Sequence, residues 1–133
     1  MQAEPHVSEK RLVLVVDDDQ AITKLIRRNL EDRDTQVVEV TTGLDCITKL
    51  LNTRVDLILL DLKLPDFNGW GILSLLRLTE SLSDMPVIVV TAEPADAAMV
   101  QQLRPDDYIQ KPFEMRDLLA SVKGVIGPGR ANE

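Results

Sequence analysis

Val55-Asp56-Leu57-Ile58-Leu59-Leu60-Asp61-Leu62-Lys63-Leu64-Pro65-Asp66-Phe67-Asn68-Gly69-Trp70 decides the fold. An apolar run ends abruptly at a carboxylate, Asp61. A loop containing Pro65 and Gly69 follows, and a helical pattern starts at Trp70. A short apolar run bounded in this way is a strand buried on both faces. An acid at the carboxyl end of such a strand sits where open α/β sheets bind ligands.

Working outward, four more strands are expected. Leu12 to Val16 is apolar and branched, and stops at Asp17-Asp18-Asp19. Gln36 to Val40 is the second, Asp56 to Leu60 the third, and Pro86 to Val90 the fourth, ending in Thr91-Ala92. Asp107 to Gln110 is a short fifth, ending at Lys111-Pro112. Helical spacing fills the intervals. It runs from Gln20 to Asp32, from Thr42 or Gly43 to Leu51, and from Trp70 to Thr79. A shorter helix fits Ala95 to Leu103, blocked by Pro105, and a last one fits Glu114 to Val125. Trp70 is expected to pack at a helix start.

Alternation of this kind gives an α/β fold, a doubly wound, flavodoxin-like sheet of five parallel strands with helices on both faces. Residues 1–11 are expected to be an N-terminal tail, 12–125 the folded domain and 126–133 a C-terminal tail.

Composition narrows the function. The 133 residues suffice for one domain, and 44% apolar content supports a core. Aromatics are only 3%, so that core is aliphatic. A net charge of −7 argues against direct nucleic-acid contact and against docking on an acidic membrane. Cys46 is the only cysteine, which excludes an intramolecular disulfide and suits a reducing compartment. No signal-peptide core or transmembrane run is present, so a cytoplasmic domain is expected. His6 has no partner His or Cys nearby to make a metal site.

The turn after the first strand is acidic rather than glycine-rich, so neither a dinucleotide fingerprint nor a phosphate loop is present. Asp17 and Asp18 end the first strand, Asp61 the third, Thr91 the fourth and Lys111 the fifth. A strand order of 2-1-3-4-5 brings the first and third strands together at the switch point. Asp17, Asp18 and Asp61 would then converge. Converging carboxylates repel and raise their own pKa values unless a cation is present. Mg²⁺ fits such a set, with Mn²⁺ as a substitute.

Taken together these residues resemble the receiver domain of two-component response regulators, of the chemotaxis-regulator type, from about Leu12 to Val125. The matching residues are Val15-Val16-Asp17-Asp18, Leu59-Leu60-Asp61-Leu62-Lys63-Leu64-Pro65, Gly69, Thr91-Ala92, Tyr108 and Lys111-Pro112-Phe113. The resemblance implies that Asp61 is the phosphoacceptor. It implies that Asp17, Asp18, Asp61 and the backbone carbonyl of Lys63 hold Mg²⁺. Lys111, Thr91 and Ala92 would bind the phosphoryl group, and Tyr108 would switch with Thr91. The fourth helix, fifth strand and fifth helix would form the output face. The partners implied are a sensor histidine kinase or a histidine phosphotransfer protein, plus an unidentified output protein. Ala21, Leu25, Pro112 and Phe113 would dock the phosphodonor.

Some features depart from the family pattern. The Thr91–Lys111 segment is short, and Arg104-Pro105 stands where a Gly-containing turn is common. Asn68 replaces an acid before Gly69 and suits a turn equally well. Lys63 and Glu93, each two residues beyond a site residue, are expected to modulate the site by an ion pair above it. Two other functions compete. A haloacid-dehalogenase-type phosphatase would use Asp17 and Asp19, but Ala21 breaks its motif, Asp106-Asp107 precedes Lys111, and Asp61 has no role. A receiver-like binding module working without phosphorylation would not need the full set of site residues present here.

Overall fold

The structure, a computed structural model, describes residues 10–127, and His6 lies outside the described residues. The order is β1 (Arg11–Val16), α1 (Gln20–Leu30), β2 (Thr35–Val40), α2 (Gly43–Asn52), β3 (Leu57–Leu60) and α3 (Gly69–Leu78). A 3₁₀ turn (Glu80–Leu82), β4 (Val87–Thr91), α4 (Ala97–Leu103), β5 (Asp107–Gln110) and α5 (Met115–Ile126) follow. The strands form one parallel sheet in the order β2-β1-β3-β4-β5. The fold is the flavodoxin-like one expected.

Alternation along each strand divides the core in two. Leu12, Leu14 and Val16 of β1 join Ile58, Leu60, Val87 and Val89 on one face, against Ile72, Leu73 and Leu76 of α3 and Leu103 of α4. Val13 and Val15 join Leu57, Leu59, Ile88 and Val90 on the other, against Ile26 of α1 and Leu118 and Val122 of α5. Both faces are covered, which is why Leu12 to Val16, Leu57 to Leu60 and Val87 to Val90 are apolar.

Helix starts have identifiable caps. Asp19 caps α1, Thr42 caps α2, Asn68 caps α3 and Asp96 caps α4, each side chain accepting from a backbone N–H two or three residues on. Asn68 thus does the work of an N-cap, accepting from Trp70 N at 2.8 Å.

Several boundaries differ from expectation. β1 begins at Arg11, because its N–H bonds Asp34 O at 3.0 Å and its guanidinium reaches the Ile126 and Gly127 carbonyls at 2.9 Å. α1 stops at Leu30 rather than Asp32. Glu31 caps its end and then accepts from Val37 N at 3.1 Å, while Arg27 donates to Val37 O at 2.7 Å. These two side chains occupy both backbone groups of Val37 on edge strand β2, which blunts that edge.

α4 begins at Ala97, two residues later than expected, because Asp96 is its cap. It ends at Arg104, in the left-handed region at φ 52°, ψ 58°, a position glycine usually takes. Arg77 compensates. Its guanidinium donates to Leu103 O (2.9 Å), Arg104 O (3.0 Å), Met85 O (2.8 Å) and Ser83 O (3.2 Å). One α3 side chain therefore satisfies the end of α4 and the loop into β4.

Gly69 lies where β3 hands over to α3. A Cβ there would stand 2.6 Å from both Asp61 O and Leu62 Cα, which are backbone atoms that cannot step aside. Gly69→Ala is expected to lose about 1–3 kcal/mol through overpacking. Gly71→Ala, with open space around the same atom, should instead gain about 0.5–1 kcal/mol of helix stability. Urea unfolding of both variants checks the contrast; equal stability would contradict it.

Candidate functional site

The sheet order sets β1 beside β3, and the ladder carries on past both ends. Asp61 N donates to Val16 O at 2.9 Å, and Asp17 N to Val40 O at 3.1 Å. Asp17 and Asp61 are therefore drawn to one carboxyl edge by backbone bonds. Both are buried, while Asp18 is exposed. One carboxylate oxygen from each of Asp17, Asp18 and Asp61 lies within 4.8 Å of the others.

Lys111 arrives from the far side of the sheet. Its N–H bonds Thr91 O at 2.8 Å, which extends the β4–β5 pairing by one step. Its Nζ sits 2.7 Å from Asp17 Oδ2 and 3.1 Å from Asp61 Oδ2. The other oxygens face backbone donors: Asp19 N to Asp17 Oδ1 at 2.9 Å, and Lys63 N to Asp61 Oδ1 at 3.2 Å. Burial foremost pushes the Asp17 carboxyl above its ordinary value, with the nearby Asp61 charge adding to it. Lys111 and the Asp19 N–H only partly offset this. Burial works against the Lys111 ammonium too, but its bonds to Asp17 and Asp61 outweigh it, so its pKa is raised. Asp17 is thus short of positive charge even with Lys111 in place. Hard oxygen donors with that deficit fit a divalent cation such as Mg²⁺.

Asp18, Asp61, Lys63, Leu64, Pro65, Thr91, Ala92, Glu93 and Lys111 line one cleft of about 280 Å³. Thr91 is fully buried at its floor, and its Oγ1 accepts from Glu93 N at 3.5 Å. The expected Lys63–Glu93 ion pair is not made; among the described residues no such pair lies within 4.0 Å. Lys63 is exposed, so water solvates a charge that a surface pair would hold only weakly. Tyr108 reaches the same segment from β5, its hydroxyl donating to Glu93 O at 2.7 Å.

A second, apolar hollow of about 440 Å³ adjoins the cleft, lined by Ile22, Leu25, Ala92, Lys111, Pro112, Phe113 and Met115. It gathers three of the four docking candidates. Ala21 is not among its lining; it lies exposed at the first turn of α1, its N–H bound by Asp19. Ile22 and Met115 complete the lining and were not among the docking candidates. Two further contacts were not anticipated. Asp66 accepts from Gly43 N (2.8 Å) and Leu44 N (2.9 Å), pinning the β3–α3 loop to α2. Trp70 stacks on Tyr108, with ring centroids 6.3 Å apart and planes at 30°.

With this geometry in hand, comparisons with known proteins agree on one family. A family model described as the response regulator receiver domain matches residues 13–123. The chain is 37% identical over 118 residues to the transcriptional regulatory protein GltR of Pseudomonas aeruginosa, covering 87% of this chain and 49% of that protein. It spans about half the length of the curated relatives it matches. The non-phosphorylated HemR receiver domain from Leptospira biflexa superimposes with a TM-score of 0.79 at 27% identity, covering 91% of this chain and 98% of that one. The phosphorylated cyanobacterial phytochrome response regulator RcpA gives 0.75 at 28%, covering 87% and 91%. No helix among the described residues is long and apolar enough to cross a membrane.

A divalent cation at Asp17, Asp18 and Asp61 would compete with Lys111 for the same carboxylates. Lys111→Met is expected to lose about 1–3 kcal/mol at neutral pH, because two buried carboxylates are left without their ammonium. Wild-type Lys111 has a raised folded pKa, so its contribution is complete below the unfolded value and fades only as pH rises through the folded one. The loss in Lys111→Met should therefore be present at neutral pH. Millimolar Mg²⁺ should restore more stability to Lys111→Met than it adds to wild type. Urea melts with and without MgCl₂ measure this; equal Mg²⁺ effects would exclude competition.

Proposed function

The chain belongs to the response regulator receiver domain family, and from that premise we propose that it is a phosphoacceptor in a two-component or phosphorelay system. Asp61 takes the phosphoryl group from a phosphohistidine on a sensor histidine kinase or a histidine phosphotransfer protein. One observation carries this: the Asp61 carboxylate lines a cleft with an ammonium 3.1 Å away, and a carboxylate oxygen from each of Asp17 and Asp18 lies within 4.8 Å. Charge and carboxylate stand together where a phosphoryl group has to be received.

In this reading an Asp61 oxygen attacks phosphorus in line with the donor imidazole. A P–O bond forms, the P–N bond breaks, and the imidazole leaves with the electron pair and takes up a proton. Asp17, Asp18, Asp61 and the Lys63 carbonyl would hold Mg²⁺. When bound, Mg²⁺ supplies positive charge to the phosphoryl oxygens. Lys111, already beside Asp61, would neutralise one phosphoryl oxygen. The Thr91 hydroxyl and Ala92 N–H would donate to others. Lys63 and Glu93 stand on the cleft wall as solvated charges, where they would meet a hydrolytic water. The reaction is stoichiometric self-modification, not turnover of a substrate.

A buried Thr91 that shifts toward an incoming phosphoryl group would drag the Glu93 segment and with it Tyr108. That biases a population of states at the α4–β5–α5 face, which an output protein reads. The apolar hollow supports docking of the phosphodonor through Leu25, Pro112 and Phe113, with Ala21 at its margin. A phosphohistidine donor and a buried thiol at Cys46 both suit the cytoplasm.

The central claim is tested by incubating the protein with a small acyl phosphate and Mg²⁺ and weighing it intact. One phosphoryl group is expected on wild type and none on Asp61→Asn; uptake by Asp61→Asn would move the acceptor elsewhere. Leu25→Asp should take phosphate from the small donor at the wild-type rate and lose transfer from a cognate kinase. Unimpaired kinase transfer would remove Leu25 from the docking surface.

A further inference from the structure

Trp70 is half-buried in the first turn of α3, packed against the same core as Tyr108 and Met99. Nothing in the phosphoacceptor chemistry uses it. Yet it sits at the end of a tightly determined path. Gly69 N bonds Leu62 O at 2.7 Å, directly after Asp61, and Asn68 Oδ1 holds Trp70 N at 2.8 Å. The indole stacks on the Tyr108 ring, whose hydroxyl bonds Glu93 O at 2.7 Å. Glu93 N faces Thr91 Oγ1 at 3.5 Å. The path leaves the site at Asp61 and returns to it at Thr91.

We propose that Trp70 is a positioning residue for Tyr108: the indole holds the phenol where its hydroxyl reaches the Glu93 carbonyl, tying the first turn of α3 to the segment after Thr91. A half-buried tyrosine on a strand has more than one rotamer available. Stacking on a fixed indole selects one of them, and it is the one that makes the Glu93 bond. Rotation of Tyr108 breaks the stack and the hydrogen bond together. The moving surface then includes the start of α3 beside α4 and β5, so an output partner that reads Tyr108 also meets Trp70. This last consequence rests on Asp61 being the phosphoacceptor; the positioning role does not.

The chain contains one tryptophan and one tyrosine, and they are the stacked pair, so each optical signal has a single source. Burial foremost, then the Glu93, Asp61 and Asp96 carboxylates, raise the Tyr108 phenol above its ordinary value. In the unphosphorylated full chain, Trp70→Leu is expected to shift the phenol titration, followed by phenolate absorbance, back toward the ordinary value. Trp70→Phe, which restores a ring face, should recover the wild-type titration. Wild-type titration in folded Trp70→Leu, or no recovery in Trp70→Phe, would overturn the positioning role.

A second measurement uses wild type alone. On treatment with a small acyl phosphate and Mg²⁺, the Trp70 emission should change in step with phosphoryl uptake followed by intact mass. Uptake with constant emission would overturn the coupling. Absence of uptake would instead count against Asp61 as acceptor, and the titrations would still decide what Trp70 does. Trp70→Leu should take up the phosphoryl group at the wild-type rate, since Trp70 is not among the residues that line the cleft.

Discussion

A single ammonium shared by two buried carboxylates sets the terms for the rest of this structure. Lys111 Nζ lies within hydrogen-bond reach of both Asp17 and Asp61, which come from different strands. Two buried anions at one sheet edge repel strongly in a medium less polar than water. The ammonium makes the arrangement tolerable without cancelling it, because Asp17 stays raised by its burial. A site left partly uncompensated is ready for more positive charge. Burial and backbone position create the demand, and the side-chain chemistry answers it only in part.

Holding those groups in place falls to the backbone and to the loops. The ladder bonds past β1 and β3 fix Asp17 and Asp61, while the β3–α3 loop is pinned at both ends. Gly69 closes it against Asp61 O, where no side chain fits. Asp66 reaches across to the first two N–H groups of α2, a placement that helix-end dipoles favour and that keeps its pKa low. Though Asp66 is exposed, its slight desolvation would raise that pKa, but backbone N–H donors, Gly43 and Leu44 foremost, prevail. Phe67 packs so close to Gly43 that a Cβ there would stand 2.5 Å from the ring. The loop carrying the Lys63 carbonyl therefore has little freedom, and rigidity of that kind is what the proposed phosphoryl transfer would require.

Much of this was legible in the amino-acid sequence, for physical reasons that also explain where legibility ended. The run Leu57–Leu60 declared itself a buried strand because both faces of β3 are covered. Asp17, Asp18, Asp61, Thr91 and Lys111 declared themselves because all end strands of one parallel sheet. Their convergence follows from strand order, not from neighbouring positions in the chain. Long-range side-chain contacts have no such periodic signal. Asp66 stands in a loop without periodic pattern, and its partners lie more than twenty residues away. The Lys63–Glu93 pair was inferred from matched offsets, but offset says nothing about where a long solvated side chain points. Boundary errors were of the same origin: Glu31 left α1 because its carboxylate was needed on β2.

Arg104 shows how a local departure from a common pattern is absorbed elsewhere. A non-glycine residue in the left-handed region is strained, and the proline after it removes one more donor. In isolation the pair would weaken the end of α4. Arg77 meets four carbonyls around that end and is itself largely buried, with its pKa lowered chiefly by burial. Such an arginine is costly to bury unless its donors are nearly all used, and here they are spread over α4, the 3₁₀ turn and the approach to β4. The result joins α3 firmly to the C-terminal end of α4. The start of α4, by contrast, has the Asp96 cap and the packing of Met99, and follows closely on the Glu93–Tyr108 bond. Were Asp61 to take a phosphoryl group as proposed, displacement would be easier at that start, beside Glu93 and Tyr108, than at the end that Arg77 anchors.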